Sequence, residues 1–103
     1  MKAGARLRRL REKRVEKPGS VKPEYKSEDP SVCIYSSRFG VWRLHYGGSV
    51  VIIHDARHYP EARLIEDFYR DSGFDVYRVN TDIMGEDKLA NKLLSRCKKI
   101  HEY

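Results

Sequence analysis

The pattern of apolar and polar positions predicts strands from residue 31 onward. The run SVCIYSS, residues 31–37, is short, β-branched and aromatic, which favours a strand. The stretch FGVWRLHYGGSVVIIH, residues 39–54, predicts two strands joined at Gly47-Gly48, because a glycine pair supplies the positive φ of a tight hairpin turn. The first of these strands places three large side chains on one face: Trp42, Leu44 and Tyr46. The second, SVVIIH, is continuously apolar, which indicates a strand covered on both faces.

Helical spacing predicts two helices in the second half of the chain. Pro60 suits a first helical position because it has no N–H to leave unpaired, and a glycine C-cap at Ser72-Gly73 should end that helix. The apolar positions of this helix are Ala62, Ile65, Phe68 and Tyr69. The segment EDKLANKLLSRCKKI, residues 86–100, predicts a second helix. Its apolar stripe consists of Leu89, Leu93, Cys97 and Ile100.

One more strand is predicted between these helices, at FDVYRVN, residues 74–80. Its apolar residues fall on both faces, so its solvent side is ambiguous. The strand–helix–strand step over residues 49–80 is long enough for a right-handed parallel crossover. We therefore predict an α/β fold, with a small mixed sheet of about four strands, a β-hairpin, one βαβ crossover and a C-terminal helix.

Length and composition limit the chain to one folded domain, which we place at residues 31–103. With 103 residues, of which 40% are hydrophobic and 35% charged, the chain can build a single core. No apolar run approaches the roughly 20 residues that span a bilayer. The N-terminal basic residues lack the apolar stretch of a secretory signal. We therefore expect an intracellular protein, of the cytoplasm or nucleoid, with no membrane partner.

The two cysteines, Cys33 and Cys97, are far apart in the sequence. Two are too few for the disulfide framework of a small secreted domain, and they lack the spacing of metal ligands. Each lies in an apolar context, so we expect buried thiols.

The positive charge is concentrated at the N-terminus. Residues 1–28 contain ten Lys or Arg and four Glu, whereas from residue 29 onward there are eleven of each sign. The whole net charge of +6 therefore belongs to the first quarter of the chain. Residues 1–30 are also poor in apolar side chains and hold three of the four prolines, which predicts a basic, disordered arm.

A basic arm on an electrically neutral domain has a direct use, because its cations displace counterions from a polyanion. We expect the arm to bind nucleic acid, either DNA or RNA. The cations assigned to this contact are Lys2, Arg6, Arg8, Arg9, Arg11, Lys13, Arg14 and Lys17. The competing interpretations are a solvated tail that promotes solubility, and a tail that joins a larger protein or ribonucleoprotein assembly.

A polar cluster follows the continuously apolar strand, within IIHDARHYPEARLI, residues 52–65. Ligands of open α/β sheets bind beyond the carboxyl ends of the strands, where this cluster should lie. Arg57 and the N-terminus of the helix suit a phosphate. Asp55 with His54 or His58 suits either a metal ion or acid–base catalysis. The structural alternative is that Asp55 and Arg57 pair with each other or with the helix while the histidines face solvent.

Residues 49–80 resemble the strand and helix of phage-type P-loop deoxynucleoside monophosphate kinases. That family runs from an apolar strand to Asp-x-Arg and then Glu-Ala at a helix start, which Asp55, Arg57, Glu61 and Ala62 match. The resemblance implies a nucleotide near the arginine-bearing strand end. The defining phosphate-binding loop, Gly-x-x-x-x-Gly-Lys followed by Ser or Thr, does not occur in this sequence, so a complete kinase is not expected.

Residues 49–100 are similar in order and length to the C-terminal half of restriction-endonuclease-like nucleases of the very-short-patch-repair type. The matching features are the apolar strand with its Asp and His, the helix, SGFDVYRVNTDIM and the last helix. The resemblance implies a metal-dependent nuclease in which Asp55 binds Mg²⁺ or Mn²⁺ and His54 or His58 assists. The family's acidic residue two positions before the aspartate falls on Ile53, which leaves the metal-binding set incomplete.

Nucleic-acid binding through the arm, without a cofactor, is the function that these features favour. The first alternative is the metal-dependent nuclease. The second is a viral or phage accessory protein, or a ribonucleoprotein subunit, that acts through protein contacts.

Overall fold

A five-stranded mixed sheet organises the protein in the computed structural model, which describes residues 23–102. Its strands are β1 (Val32–Ser36), β2 (Val41–Tyr46), β3 (Ser49–His54), β4 (Asp75–Asn80) and β5 (Ile100–Glu102). Their order across the sheet is β4-β3-β2-β1-β5. The three inner strands are antiparallel, whereas β4 runs parallel to β3 and β5 runs parallel to β1. The predicted α/β class is confirmed, with one strand more than expected.

Two helices cover opposite faces of the sheet, α1 (Tyr59–Asp71) between β3 and β4, and α2 (Glu86–Leu94) after β4. The core on the α1 face consists of Val41, Val50, Ile52, Ala62, Tyr69 and Val76. The core on the α2 face consists of Tyr25, Cys33, Leu44, Tyr46, Val51, Ile53, Val79, Ala90 and Leu93. Every residue of β3 is buried because its side chains alternate between these two cores. This confirms that SVVIIH is covered on both faces.

The turns lie where the glycines predict them. β2 and β3 form the hairpin, with Tyr46 opposite Ser49 and Gly47 at a φ of 64°. α1 ends with Ser72 as its C-cap and Gly73 at a φ of 95°. The parallel β3–α1–β4 crossover is present as well. No helix within residues 23–102 has both the length and the apolar character needed to cross a bilayer.

The last predicted helix is wrong in its final turns. α2 stops at Leu94, and the chain passes through turns at Arg96 and Cys97 into β5, which pairs with β1. Helical spacing continues to Ile100 in the sequence, but pairing with the free edge of β1 overrides it. Of the predicted apolar stripe, only Leu89 and Leu93 therefore lie on the helix, whereas Cys97 and Ile100 lie beyond its end.

The prediction of free buried thiols is also wrong, because Cys33 and Cys97 form a disulfide 64 residues apart in the chain. The rule that two cysteines are too few concerns disulfide frameworks, and it does not exclude a single bridge. Folding brings the two residues together, since Cys33 lies in β1 and Cys97 lies three residues before β5, the neighbour of β1. The backbone N–H of Cys33 also donates to the carbonyl of Lys99, at 3.4 Å.

Folded structure begins earlier than the expected boundary at residue 31. Pro23–Lys26 form a 3₁₀ turn, and Tyr25, only 5% exposed, joins the core of the α2 face. Its ring stacks on Tyr46 with centroids 4.3 Å apart and meets Tyr77 edge-on at 6.1 Å. An aromatic side chain thus outweighs the polar composition around it. Tyr25 therefore packs against the body, whereas residues 1–22 of the predicted arm lie outside the described residues, and the boundary at residue 31 stays a prediction.

α1 departs from its predicted apolar stripe at one position. Ala62, Ile65 and Tyr69 pack against the sheet, as their spacing predicts, but the side chain of Phe68 is 64% exposed. Glu66 takes a place on the sheet side and is buried. The sequence did not predict that Glu66 rather than Phe68 faces the sheet, because helical spacing alone places the apolar residue on the core side.

Candidate functional site

The carboxyl ends of β3 and β4 meet at one end of the sheet, as expected for parallel neighbours. His54, the last residue of β3, is paired with Asn80, the last residue of β4. A 3₁₀ turn at Ala56–His58 then leads directly into α1. The β1–β2 turn, residues 37–40, reaches the same end because Ser36 pairs with Val41. The predicted cluster therefore lies in a corner formed by three connections.

Asp55 and His58 form the central contact of this corner. The Asp55 Oδ1 atom accepts from the backbone N–H of His58 at 3.0 Å and lies 2.8 Å from His58 Nδ1. A carboxylate can only accept, so Nδ1 carries the proton of this hydrogen bond, and in the neutral form of the ring Nε2 is the acceptor nitrogen. Asp55 thereby also caps the turn at Ala56–His58.

The carboxylate of Asp55 is held in its charged form. Desolvation acts to raise the pKa of Asp55, but the hydrogen bonds from the side chain and backbone of His58, with the charges of His58 and Arg57, outweigh it. The pKa of Asp55 is therefore below its ordinary value. A charged partner fixes the ring of His58 in one tautomer, which is the usual arrangement behind a histidine that transfers protons.

Gly40 holds the ring of His58 from the β1–β2 turn. A Cβ atom at Gly40 would lie 2.6 Å from His58 Cε1 and 2.8 Å from both ring nitrogens, so the ring lies flat against this glycine. Gly40 also has a φ of 65°, which L side chains rarely adopt. Both observations explain why glycine occupies the position, and neither was recognised from the sequence.

His54 does not join Asp55 and His58 through its side chain. It is 2% exposed, and its Nδ1 donates to the carbonyl of Asp55 at 2.8 Å, which leaves Nε2 to accept from Arg78 Nη1 at 3.5 Å. Burial lowers the pKa of His54; the bond to the Asp55 carbonyl opposes this and the charge of Arg78 adds to it. A neutral, buried ring bonded on both nitrogens has a structural role here.

Beneath α1, a charged cluster extends from His54. Glu66 accepts from Arg78 Nε at 2.8 Å and from Arg70 Nη2 at 2.6 Å, with Arg63 Nε at 3.4 Å. The Arg78 guanidinium also lies 5.2 Å from the ring centroid of Tyr59. The sequence analysis did not predict this cluster. A signal for it was present, because Arg78 lies on the same face as Val76 in FDVYRVN, and an arginine on a covered face needs a charged partner.

Asp82 is a second carboxylate at the site that the sequence did not assign. Its Oδ2 accepts from the backbone N–H of Ala56 at 2.8 Å, directly after Asp55. The sequence does hold a signal for its position. Asp82 follows β4 by two residues, and parallel neighbouring strands end at the same edge of a sheet, so Asp82 should lie near Asp55. Asp82 positions the turn that carries Arg57 and His58.

The remaining candidates lie apart from these contacts. Arg57 is exposed on the turn, and the cations from Lys2 to Lys17 fall outside the described residues. No group of three His, Cys, Asp or Glu side chains within residues 23–102 could hold a metal ion. Metal binding by Asp55 and phosphate binding by Arg57 therefore stay predictions.

Comparison with known proteins gives no family for this chain. No family model, no curated protein and no solved structure matches it. The resemblances to nucleases and to nucleotide kinases remain predictions, as does binding to nucleic acid.

Proposed function

We propose that the protein binds nucleic acid, with the basic arm supplying most of the affinity and the α/β body orienting it. The observation that carries the proposal is the segregation of charge. Residues 1–28 hold the full net charge of +6, and residues 29–102 contain eleven charges of each sign. Cations gathered on one segment contact phosphates together, whereas an evenly mixed surface has no such preference.

Separate roles for the arm in affinity and for the body in orientation are supported by the way the two are joined, because the chain enters the body at a fixed point. Tyr25 is buried against Tyr46, the last residue of β2, so the chain enters the body beside the hairpin. Only residues 18–24 separate this anchor from the cation Lys17. Phosphate bound by the arm therefore stays within reach of the body.

Removing residues 1–17 is expected to weaken binding to single-stranded and duplex oligonucleotides by about tenfold or more, because most phosphate contacts are lost. The slope of log affinity against log salt should become shallower by roughly 0.7 to 0.9 for each contact removed. Fluorescence anisotropy over a series of NaCl concentrations measures both quantities. The truncation ends before Tyr25, so the body keeps its anchor.

A full-length variant with the eight arm cations changed to Gln is the matched control. It should behave like the truncated chain, because charge and not chain length is responsible. Unchanged affinity and salt slope in both variants would refute the proposal. A loss in the truncated chain alone would assign the contact to uncharged arm residues and would equally contradict it.

The contact between Asp55 and His58 favours a second candidate function, acid–base catalysis at a phosphate ester without a metal. His58 Nε2 would accept the proton of the ribose 2′-hydroxyl as that oxygen attacks phosphorus; the P–O bond to the 5′-oxygen would break, and the 5′-oxygen would take a proton from water. Asp55 would hold the ring, and Arg57 would contact the phosphate. The proposal differs from the nuclease resemblance, in which Asp55 is a metal ligand.

Asp55→Asn is expected to lower cleavage of an RNA oligonucleotide in EDTA by roughly a hundredfold, because the ring loses its charged partner. ¹⁵N NMR of the His58 ring should show that Nδ1 is no longer the fixed protonated nitrogen. Lys88→Gln, at an exposed position in α2 on the other side of the sheet, is the control. Cleavage that requires Mg²⁺ or Mn²⁺ would favour the nuclease instead, and equal rates in Asp55→Asn and the parent chain would exclude both.

A further inference from the structure

The side of α1 that points away from the sheet carries a line of exposed apolar and acidic side chains. Leu64 and Phe68 are 70% and 64% exposed, and Asp67 and Asp71 are exposed as well. Successive members of the line are three or four residues apart, so they are neighbours on the helix surface. We call this surface the α1 outer face. Its members are Glu61, Leu64, Asp67, Phe68 and Asp71.

The α1 outer face is acidic, because its three ionisable members are all carboxylates. The two arginines of the helix, Arg63 and Arg70, form ion pairs with the buried Glu66, at 3.4 Å and 2.6 Å. Arg63 also attracts Asp67, four residues further on, but no ion pair within the described residues involves any of the three carboxylates. The face therefore keeps a net negative charge.

Two features of this face are unfavourable within α1 itself. Asp71 is the last residue of the helix, where the negative end of the helix dipole disfavours an acid and favours a cation. Leu64 and Phe68 leave large apolar side chains in water, next to each other at helical spacing. A partner that brings cations and apolar side chains together would relieve both, and such local departures from the usual pattern are expected where a surface binds something.

The basic arm has the complementary sequence. Residues 1–17 contain eight Lys or Arg and two Glu. They also contain Leu7 and Leu10, whose spacing places both side chains on one side of a helix. An isolated helix of this length is marginal in water, so contact with an apolar pair on another helix would stabilise it.

The arm also enters the body within reach of the α1 outer face. Tyr25 is stacked on the last residue of β2, and the residue before that one, His45, lies edge-on to Tyr69 of α1 with ring centroids 5.3 Å apart. The ring of Phe68 is 5.4 Å from that of Tyr69. Residues 18–24 can extend over at most about 25 Å. One sheet and one helix layer are together about 20 Å deep, so the arm can pass around the sheet to α1.

We propose that the basic arm docks through residues 5–17 on the α1 outer face of its own chain, so that the carboxylates of α1 and a polyanion compete for the same cations. Leu7 and Leu10 pack on Leu64 and Phe68 in this arrangement. A tethered segment has an effective concentration of about 1 mM, so even a contact with a Kd near that value is half populated. The docking goes beyond nucleic-acid binding, and only the competition rests on the proposed function.

A nitroxide attached to Ala5→Cys in the full-length chain tests the docking. The two native cysteines are bonded to each other, so the added thiol is the one that reacts. The nitroxide should broaden the ¹⁵N NMR amide signals of residues 61–71 more than those of α2, because the contact keeps the arm near α1. About 1 M NaCl should remove the difference, since it shortens the Debye length to about 3 Å.

The double variant Asp67→Asn, Asp71→Asn should abolish the selective broadening, because two of the three acids are lost. Both positions are exposed, and removing an acid near the end of α1 does not weaken the helix. Asp87→Asn, Glu102→Gln is the matched control, since it removes the same charge at exposed positions in α2 and β5. Equal broadening in the two double variants, or broadening spread evenly over the parent body, would overturn the docking.

A mixed sample distinguishes docking within one chain from docking on a second copy. Chains that carry the nitroxide without ¹⁵N are mixed with ¹⁵N-labelled chains that carry no nitroxide. No selective broadening of α1 is expected in this sample. Broadening as strong as that within one chain would assign the arm to a second copy and overturn the proposal.

Affinity for duplex DNA tests the competition. A docked population between one half and nine tenths raises the apparent Kd about two- to tenfold. Asp67→Asn, Asp71→Asn should therefore bind more tightly than Asp87→Asn, Glu102→Gln by that factor, in fluorescence anisotropy at low salt. Equal affinities together with selective broadening would retain the docking and overturn the competition. A parent chain that binds no oligonucleotide would refute the proposed function, and the nitroxide experiment would still decide the docking.

Discussion

Reduction of the disulfide between Cys33 and Cys97 is expected to lower the free energy of unfolding by about 4 kcal/mol. The bridge closes a loop with a sequence separation of 64 residues, and a cross-link of that length restricts the unfolded chain by about this amount. Small domains are stable by only about 5 to 15 kcal/mol, so the loss is large. Urea denaturation with and without dithiothreitol measures it.

A local effect should accompany the global one. β5 has three exposed residues, and it is attached to β1 by backbone pairing and by the bridge next to it. Once the bridge opens, the strand is held by its backbone hydrogen bonds and by the exposed ion pairs of Arg96 and Lys98 with Asp29 just before it. The amide hydrogens of Ile100–Glu102 should therefore exchange faster than those of β3. Hydrogen exchange followed by NMR in both redox states tests this.

The double variant Cys33→Ala, Cys97→Ala is the control for the reductant. Its stability should not respond to dithiothreitol, and it should resemble the reduced parent chain, apart from the two lost sulfur atoms. A parent chain whose urea midpoint is the same in both redox states would contradict the prediction. Such a result would mean that the unfolded chain is not restricted by the bridge or that the bridge is absent in solution.

The bridge also bears on the cellular location expected from the sequence. Disulfides persist in oxidising compartments and in the cytoplasm of hyperthermophiles, and they are rare elsewhere inside cells. The prediction of an intracellular protein rested on the lack of a secretory signal and of a membrane-spanning apolar run, and not on the cysteines. The bond between Cys33 and Cys97 does not favour a reducing compartment, and the location stays a prediction.

Local patterns predicted most of the fold because the deciding residues act locally. Gly47 and Gly73 adopt positive φ, Pro60 lies in the first turn of α1, and the apolar run of β3 is buried on both faces. The features that were missed depend on partners distant in the sequence. β5 forms because β1 has a free edge, and Cys97 bonds to Cys33 because of that pairing. No periodicity encodes either contact.

The sequence predicted where the candidate site lies, but it did not predict which histidine pairs with Asp55. Spacing placed His54, Asp55 and His58 together at a strand end, and the structure joins Asp55 to His58. The side chain of His54 lies beneath α1 instead. His54 is the last residue of β3, which is covered on both faces, so its side chain must project into one of the two cores. Which histidine faces Asp55 is decided by the turn at residues 56–58, and its geometry depends on Asp82 and Gly40.

Tyr25→Ala is expected to cost about 3 kcal/mol of unfolding free energy, although Tyr25 lies next to a segment with the composition of a tail. Loss of a buried aromatic side chain removes apolar contacts and leaves a cavity. Here the ring of Tyr46 would lose its stacking partner at 4.3 Å. Tyr25→Phe should be nearly neutral because it keeps the ring. Lys26→Ala, at the exposed neighbouring position, is the matched control.

The ionisation of Tyr46 gives a spectroscopic test of the same contact. Burial, with smaller contributions from Glu28 and Tyr25, raises the pKa of Tyr46 to about 12. Tyr25→Ala admits water to the Tyr46 hydroxyl, so its pKa should fall toward the ordinary value of about 10. Absorbance of the phenolate during alkaline titration follows this change, with Tyr46→Phe identifying the signal.

Truncations locate the true boundary between arm and body. Removal of residues 1–22 should leave the urea midpoint unchanged, whereas removal of residues 1–30 should lower it at least as much as Tyr25→Ala, because Pro30 is buried as well. If Tyr25→Ala unfolds at the same urea concentration as Lys26→Ala, the stacking on Tyr46 does not stabilise the body. The boundary would then lie at residue 31, and the arm would be attached by chain connectivity alone.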